Sequence, residues 1–370
     1  MLYEEGFRRP GDPRRLLERI RELCAETGPL RLMEICGTHT MAIARAGLRS
    51  LLPPELRLVS GPGCPVCVTP AGVLDGILQL AGEPGVLVAT YGDLLRVPGS
   101  APGDTLARRK ALGAQVRAVY SPMEALALAA EYPQLQVVFL GVGFETTAPG
   151  TAACVLEARE QGLKNFSLLC LLKRTEPALR ALITAPDFAV DGFLCPGHVA
   201  AVTGWEAFAF LPEEYGLPAV VAGFEPADLL YAVYRLAAML AGRAPALENE
   251  YTRLVPPQGN QAAQAAVEAV FRPCASVWRG LGEIPESGFA LREEFAPFDA
   301  ARRFPLPCPP GKEPPGCRCG QVIRGVEEPG QCPLFGRACT PEDPVGPCMV
   351  SGEGACAAAY RYRRQEGGLL

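Results

Sequence analysis

Short apolar runs closed by polar turns, and separated by amphipathic stretches, fill the first two-thirds of the chain. They run from Leu30 to Ile35, Leu56 to Ser60, Val86 to Thr90, Val116 to Tyr120, Gln136 to Leu140, Phe166 to Leu172, Gly192 to Leu194 and Pro218 to Ala222. Strands that alternate with helical patterns predict parallel βαβ units. Asp12-Pro13 opens a first helix with a cap residue and a proline, and Ser121-Pro122-Met123-Glu124 reads as a capping box. A helix of about 18 residues is expected from Pro226 to Gly242 by its period. The runs divide evenly around residue 120. We therefore expect two parallel-sheet α/β domains of similar plan, 1–120 and 121–245, and a C-terminal domain, 246–370.

The unusual residues fall where predicted strands end. Cys36 and His39 lie in CGTHT, Cys64 and Cys67 in GPGCPVC, Asp93 in YGD, Glu145, Thr146 and Thr147 in GFETTAP, and His198 in CPGH. In open α/β sheets ligands bind outside the carboxyl ends of the strands. Any one of these turns is explained by ordinary βα geometry. Several turns bearing Cys or His together point to a site.

Composition narrows the class. The 370 residues are 49% hydrophobic and 20% charged, with net charge −5 and no block of like charges, which argues against nucleic acid or an anionic membrane as partner. The start, MLYEEGFRRPGD, lacks the apolar core of an export signal, and no apolar run reaches membrane-spanning length. The expectation is a cytoplasmic protein. Fifteen cysteines then suggest metal or redox work rather than a disulfide framework.

Cys64 and Cys67 have a C-x-x-C spacing that suits a metal, a dithiol–disulfide couple or plain buried thiols. Towards the C-terminus come Cys308, Cys317, Cys319, Cys332, Cys339, Cys348 and Cys356, with no histidine among them. Their spacings are wide, which favours an iron–sulfur cluster over a zinc ribbon. The stretch from Phe295 to Pro347 is rich in Pro, Gly and Cys and cannot build a good apolar core alone, so a metal staple is expected. Cys24, Cys154, Cys170, Cys195 and Cys274 lie on or beside apolar runs and read as core thiols.

These motifs, in this order and with CPLFG and MVSGEGAC near the end, closely resemble the HypD family of hydrogenase maturation factors. The resemblance spans nearly the whole chain. It implies a scaffold that assembles the Fe(CN)₂CO unit of [NiFe]-hydrogenases, with a HypC-like small chaperone and a HypE-like cyanide donor as partners. It also implies two α/β domains plus a third bearing one [4Fe–4S] cluster, with the motifs facing a central cleft. On this resemblance Cys36 binds iron and Cys64 and Cys67 are a redox pair. Cys332, Cys339 and Cys356 ligate the cluster, with Cys317 or Cys319 as the fourth ligand, and Cys348 is an extra thiol. Asp93, Glu145, Thr146, Thr147 and His198 then line the cleft or contact a partner.

The chemistry gives further expectations. A helix N-terminus and a nearby protonated His39 would depress the pKa of Cys36. His39 is alternatively a hydrogen-bond donor to cyanide, a proton shuttle or a core residue. Release of cyanide from a thiocyanate takes two electrons, which a dithiol supplies. A rival reading is an iron–sulfur-dependent thiol/disulfide oxidoreductase. Such an enzyme has no need of a separate thiol at Cys36. A zinc-stabilised interaction module is a third.

Overall fold

The computed structural model describes residues 13–304, 306 and 311–366. Asp12, the N-terminal stretch read for an export signal, and Cys308 lie outside the described residues. All eight predicted strands form: β1 (Leu30–Glu34), β2 (Leu56–Ser60), β3 (Val86–Thr90), β4 (Gln115–Ala118), β5 (Gln136–Gly143), β6 (Phe166–Leu172), β7 (Gly192–Pro196) and β8 (Ala219–Ala222). A ninth, β9 (Leu247–Asn249), is three residues long and carries no apolar run that would announce it.

The strands build two sheets, β2-β1-β7-β8-β9 and β4-β3-β5-β6. Every pairing in both is parallel. The expected division at residue 120 does not match them. β3 and β4, before that point, pair into one sheet with β5 and β6 after it, while β7, β8 and β9 return to complete the sheet begun by β1 and β2. One α/β unit is thus inserted into the other. Strands of both sheets are similarly apolar, because each is covered on two faces. The pattern therefore shows that strands exist without saying which sheet takes them.

This topology creates two points where strand order reverses, between β1 and β7 and between β3 and β5. Such switch points open a crevice at the carboxyl edge. Cys36 follows β1 and His198 follows β7. Asp93 follows β3 and Glu145 follows β5.

The helices end as their sequences dictate. Ser121 accepts from the N–H of Glu124, whose carboxylate reaches back to the N–H of Tyr120, and Pro122 stands in the first turn. The helix Pro226–Ala241 has 16 residues and a Glu225/Asp228 capping box. Among the described residues no helix is long and apolar enough to cross a membrane.

The C-terminal third holds a hairpin that its sequence does not announce. After the helix Gln261–Val270, β10 (Phe271–Trp278) and β11 (Gly282–Leu291) form an antiparallel hairpin with a bulge between Cys274 and Ser276. Pro273, the bulge and Pro285 break the two-residue alternation, so the sequence hides it. Beyond it, Cys319, Cys339, Cys348, Met349 and Cys356 join the same buried cluster as Cys64, Cys67, Trp278 and the residues of β3 and β5. This segment therefore shares a core with the second sheet, which explains how so poorly periodic a stretch is held.

Candidate functional site

Cys36 caps the helix Gly37–Arg45, with extended backbone (φ −149°, ψ 122°). Its carbonyl accepts the N–H of Thr40 at 2.9 Å. Its Sγ lies 3.7 Å from Nε2 and 3.9 Å from Nδ1 of His198. Gly63, Phe144, Thr175 and Trp278 complete a small pocket around the two. Five other chain segments thus meet at the Cys36 thiol.

The thiol is 1% exposed. Burial pushes its pKa well above the ordinary thiol range, with Glu34 and Glu353 adding to the rise, against the N–H groups of His39 and Thr38. The helix N-terminus acts as expected, but desolvation outweighs it. The isolated protein therefore holds Cys36 as a neutral thiol, not the depressed one its sequence suggested. Iodoacetamide at pH 7.5 should label Cys36 more than about tenfold more slowly than an unperturbed exposed thiol, since each unit of pKa removes about tenfold of thiolate. Peptide mass spectrometry over time checks this, and labelling at the exposed-thiol rate would contradict it.

His39 points away from that thiol. It is fully buried, and its Nε2–H donates to the carbonyls of Ala222 (3.2 Å) and Gly223 (3.0 Å) at the end of β8. Burial, then the charge of His198, pushes it down to about 3, so it is neutral. His198 is pushed down to about 4 by burial and is neutral too. Phe224 stacks on His198 at 5.1 Å and contacts His39 at 4.8 Å. The residue three positions from Cys36 is thus a core hydrogen-bonder, and the imidazole beside the thiol comes from 162 residues away.

The C-x-x-C turn sits directly against Cys36. Gly37 donates its N–H to Gly63 O at 3.0 Å, and a side chain on Gly63 would collide with the backbone of Ile35 and Cys36. Cys64 and Cys67 are joined as a disulfide with Cα atoms 5.2 Å apart. The N–H of Cys67 donates to Cys64 Sγ at 3.2 Å. Gly63→Ala should cost about 1–3 kcal/mol through overpacking, seen as a lower midpoint of thermal unfolding. An unchanged midpoint would mean the turn can move aside.

Residues not singled out in the sequence complete the site. Glu34 is 0% exposed. It accepts from the N–H of Cys36 (3.1 Å) and the hydroxyl of Thr40 (2.5 Å), and Arg49 lies 3.8 Å away. From the C-terminal segment, Glu353 accepts from Thr38 at 2.8 Å, and Ser351 donates to Asp93 at 3.0 Å. Two carboxylates thus tie that segment to the turns after β1 and β3. The signal for Glu34 was a charge inside an apolar run.

The turn after β5 divides its work. Phe144 lines the pocket and stacks on Trp278 at 5.9 Å. Glu145 accepts from the N–H and hydroxyl of Thr175 (2.6 and 2.7 Å), capping the helix Thr175–Ile183. Thr146 is exposed, and Thr147 packs on Gly143.

Cys317, Cys319, Cys332, Cys339 and Cys356 line one cavity with Leu334 and Phe335. Cys319 touches Cys317 and Cys348, and Cys348 touches Cys356. Cys348 also lines the next cavity, shared with Cys64 and Cys67. Among the described residues no three of His, Cys, Asp or Glu are grouped as a metal-holding set. Cys24, Cys154 and Cys195 are buried in apolar clusters away from these cavities, and Cys170 and Cys274 are partly buried.

The family model HypD, described as "Hydrogenase formation hypA family", matches residues 13–363. The chain belongs to the HypD family. It is 47% identical over 374 residues to the "Hydrogenase maturation factor HypD" of Azotobacter vinelandii, covering 99% of this chain and 98% of the relative. It is 45% identical over 375 residues to that of Escherichia coli (strain K12), covering 99% of each. The "Hydrogenase expression/formation protein HupD" of Azotobacter chroococcum mcd 1 is 46% identical over 371 residues, covering 99% and 98%. The HypD match runs through every element that bears Cys36, Cys64, Cys67 and the described C-terminal thiols.

Proposed function

We propose that this HypD chain is a hydrogenase maturation factor on which the Fe(CN)₂CO unit is assembled, with iron held as cargo by Cys36. One observation carries the reading: Cys36, His198 and the C-x-x-C turn converge at a sheet switch point, in a pocket otherwise walled mostly by apolar groups. Low-spin iron bearing cyanide and CO favours a soft thiolate. The neutral imidazole of His198 stands where it can take the thiol proton as metal binds. A HypC-like chaperone shares the iron and a HypE-like protein delivers cyanide. The setting is the cytoplasm.

Cyanide reaches the site as a thiocyanate on the donor. With Cys64 and Cys67 reduced, R–SCN plus two thiols gives R–SH, HCN and the Cys64–Cys67 disulfide. The S–C bond breaks, the dithiol loses two electrons, and its two protons end on the donor thiol and on cyanide. The pair's position against Cys36 supports this order of events.

A donor set made only of thiols around one cavity suits a [4Fe–4S] cluster. We assign Cys332, Cys339 and Cys356 to it, with Cys317 or Cys319, which both line the cavity, as the fourth ligand. Cys348 lines the cavity shared with Cys64 and Cys67 and not this one, which supports a role outside the ligand set. When bound, the cluster supplies electrons singly. The test is infrared spectroscopy of the chain co-purified with a HypC-like partner from cells holding all maturation proteins. Cyanide and carbonyl stretching bands are expected. Their absence from a cluster-loaded complex would count against the scaffold and favour the thiol/disulfide oxidoreductase.

A further inference from the structure

The tip of the β10–β11 hairpin is wedged between the two sheet units and the C-terminal thiols. Trp278 is 1% exposed and stacks on Phe144 in the wall of the pocket. Gly280 (φ +80°) lies against the backbone of Gly320, next to Cys319, too close for any side chain. Between them, Arg279 is 3% exposed and faces the C-x-x-C turn.

That turn is a single helical turn. Val68 N–H bonds Cys64 O at 3.1 Å, and Thr69 N–H bonds Val66 O at 3.3 Å. Its last carbonyls have no further turn to pair with. Arg279 takes both. Its own N–H donates to Val68 O at 2.8 Å, and its Nε and Nη2 donate to Thr69 O at 3.2 and 2.8 Å. The remaining arm of the guanidinium pairs with Glu313, which is half exposed.

We propose that Arg279 is a positioning residue that fixes the Cys64–Cys67 turn against the C-terminal thiols and shifts the pair towards its dithiol form. A buried guanidinium cannot shed its charge, and a lysine in its place would keep the charge but not the fork. Positive charge beside a thiol couple favours the reduced, thiolate-bearing side. The clamp and the charge therefore act at the junction between the two thiol sets. The inference rests on Cys64 and Cys67 cycling, as proposed above.

The experiment equilibrates anaerobic, full-length protein in dithiothreitol buffers of graded redox ratio. The state of Cys64 and Cys67 is then trapped with a maleimide and read by mass spectrometry. Arg279→Gln should lower the dithiol-forming equilibrium constant by about tenfold, which is about 30 mV for a two-electron couple. Arg279→Lys should recover most of that shift. Glu313→Gln, a change at a half-exposed residue, removes the neutralising partner and should move the couple the opposite way. A wild-type pair that never titrates as a two-electron couple would sink the dithiol reading and this inference with it. A wild-type pair that titrates normally, with Arg279→Gln and Glu313→Gln either unchanged or moving together, would overturn the role of Arg279 alone.

Discussion

Cys36→Ala should abolish the cyanide and carbonyl bands of the complex with a HypC-like partner while the absorbance of the proposed iron–sulfur centre persists. Among the described residues Cys36 brings the only sulfur into a pocket whose other walls are mostly apolar, so alanine leaves iron no soft donor in this pocket. The C-terminal thiols line a different cavity and are untouched by the change. The buried side chain is small and lies at a helix cap that makes no side-chain capping bond, so the fold tolerates its loss.

Two companion variants make this result specific. His198→Ala leaves the thiol but removes its 3.7 Å neighbour, and should reduce loading by about 10- to 100-fold, the usual cost of losing a group that supports a metal ligand. Cys195→Ala should leave the bands unchanged. Cys195 belongs to the same CPGH motif as His198, yet it is 0% exposed, packed in an apolar cluster and not among the residues that line the pocket. Full bands in Cys36→Ala, or bands lost equally in Cys195→Ala, would remove Cys36 from the role of anchor.

The contrast between His198 and Cys195 shows what could be read from sequence. Strand positions were legible because buried parallel strands are continuous apolar runs with turn residues at their ends. The concentration of Cys and His at those ends was legible for the same reason. Sheet membership was not, because nothing in the pattern of β3 and β4 distinguishes them from β1 and β2. That one gap hid the switch point between β1 and β7, and with it the pairing of Cys36 with His198. Proximity in sequence favoured His39 instead, whose ring is taken by the carbonyls at the end of β8. Arg279 was invisible for a different reason. Its partners in the turn are backbone carbonyls, and those leave no trace in residue identity.

Glu34→Gln should stabilise the protein increasingly as pH rises from about 4.3 to about 7, reaching about 3–4 kcal/mol above that range. Burial pushes the Glu34 carboxyl up to about 7, outweighing the lowering effects of Arg49 and of hydrogen bonds from Ser60, Thr40 and the Cys36 N–H. Unfolded, the same group titrates near 4.3. Between those values the folded chain holds the extra proton, so stability from this group falls as pH rises through the window and the loss is complete above about 7. His39 and His198, pushed down to about 3 and about 4, act with the opposite sign below about 6.5, where unfolding takes up protons. The wild-type profile therefore mixes both effects, and only the difference between variant and wild type isolates Glu34. Glutamine fits because Thr40 and Ser60 hydroxyls can turn to accept from its amide while its oxygen keeps the Cys36 N–H. Denaturant midpoints at pH 5, 6, 7 and 8 check the result, and parallel curves for the two proteins would overturn it. A carboxylate that costs stability at neutral pH, two residues from Cys36 and bonded to its N–H, is explained by what it does to that cysteine. Its charge adds to the rise in the Cys36 pKa that burial causes, and so helps to keep the thiol protonated.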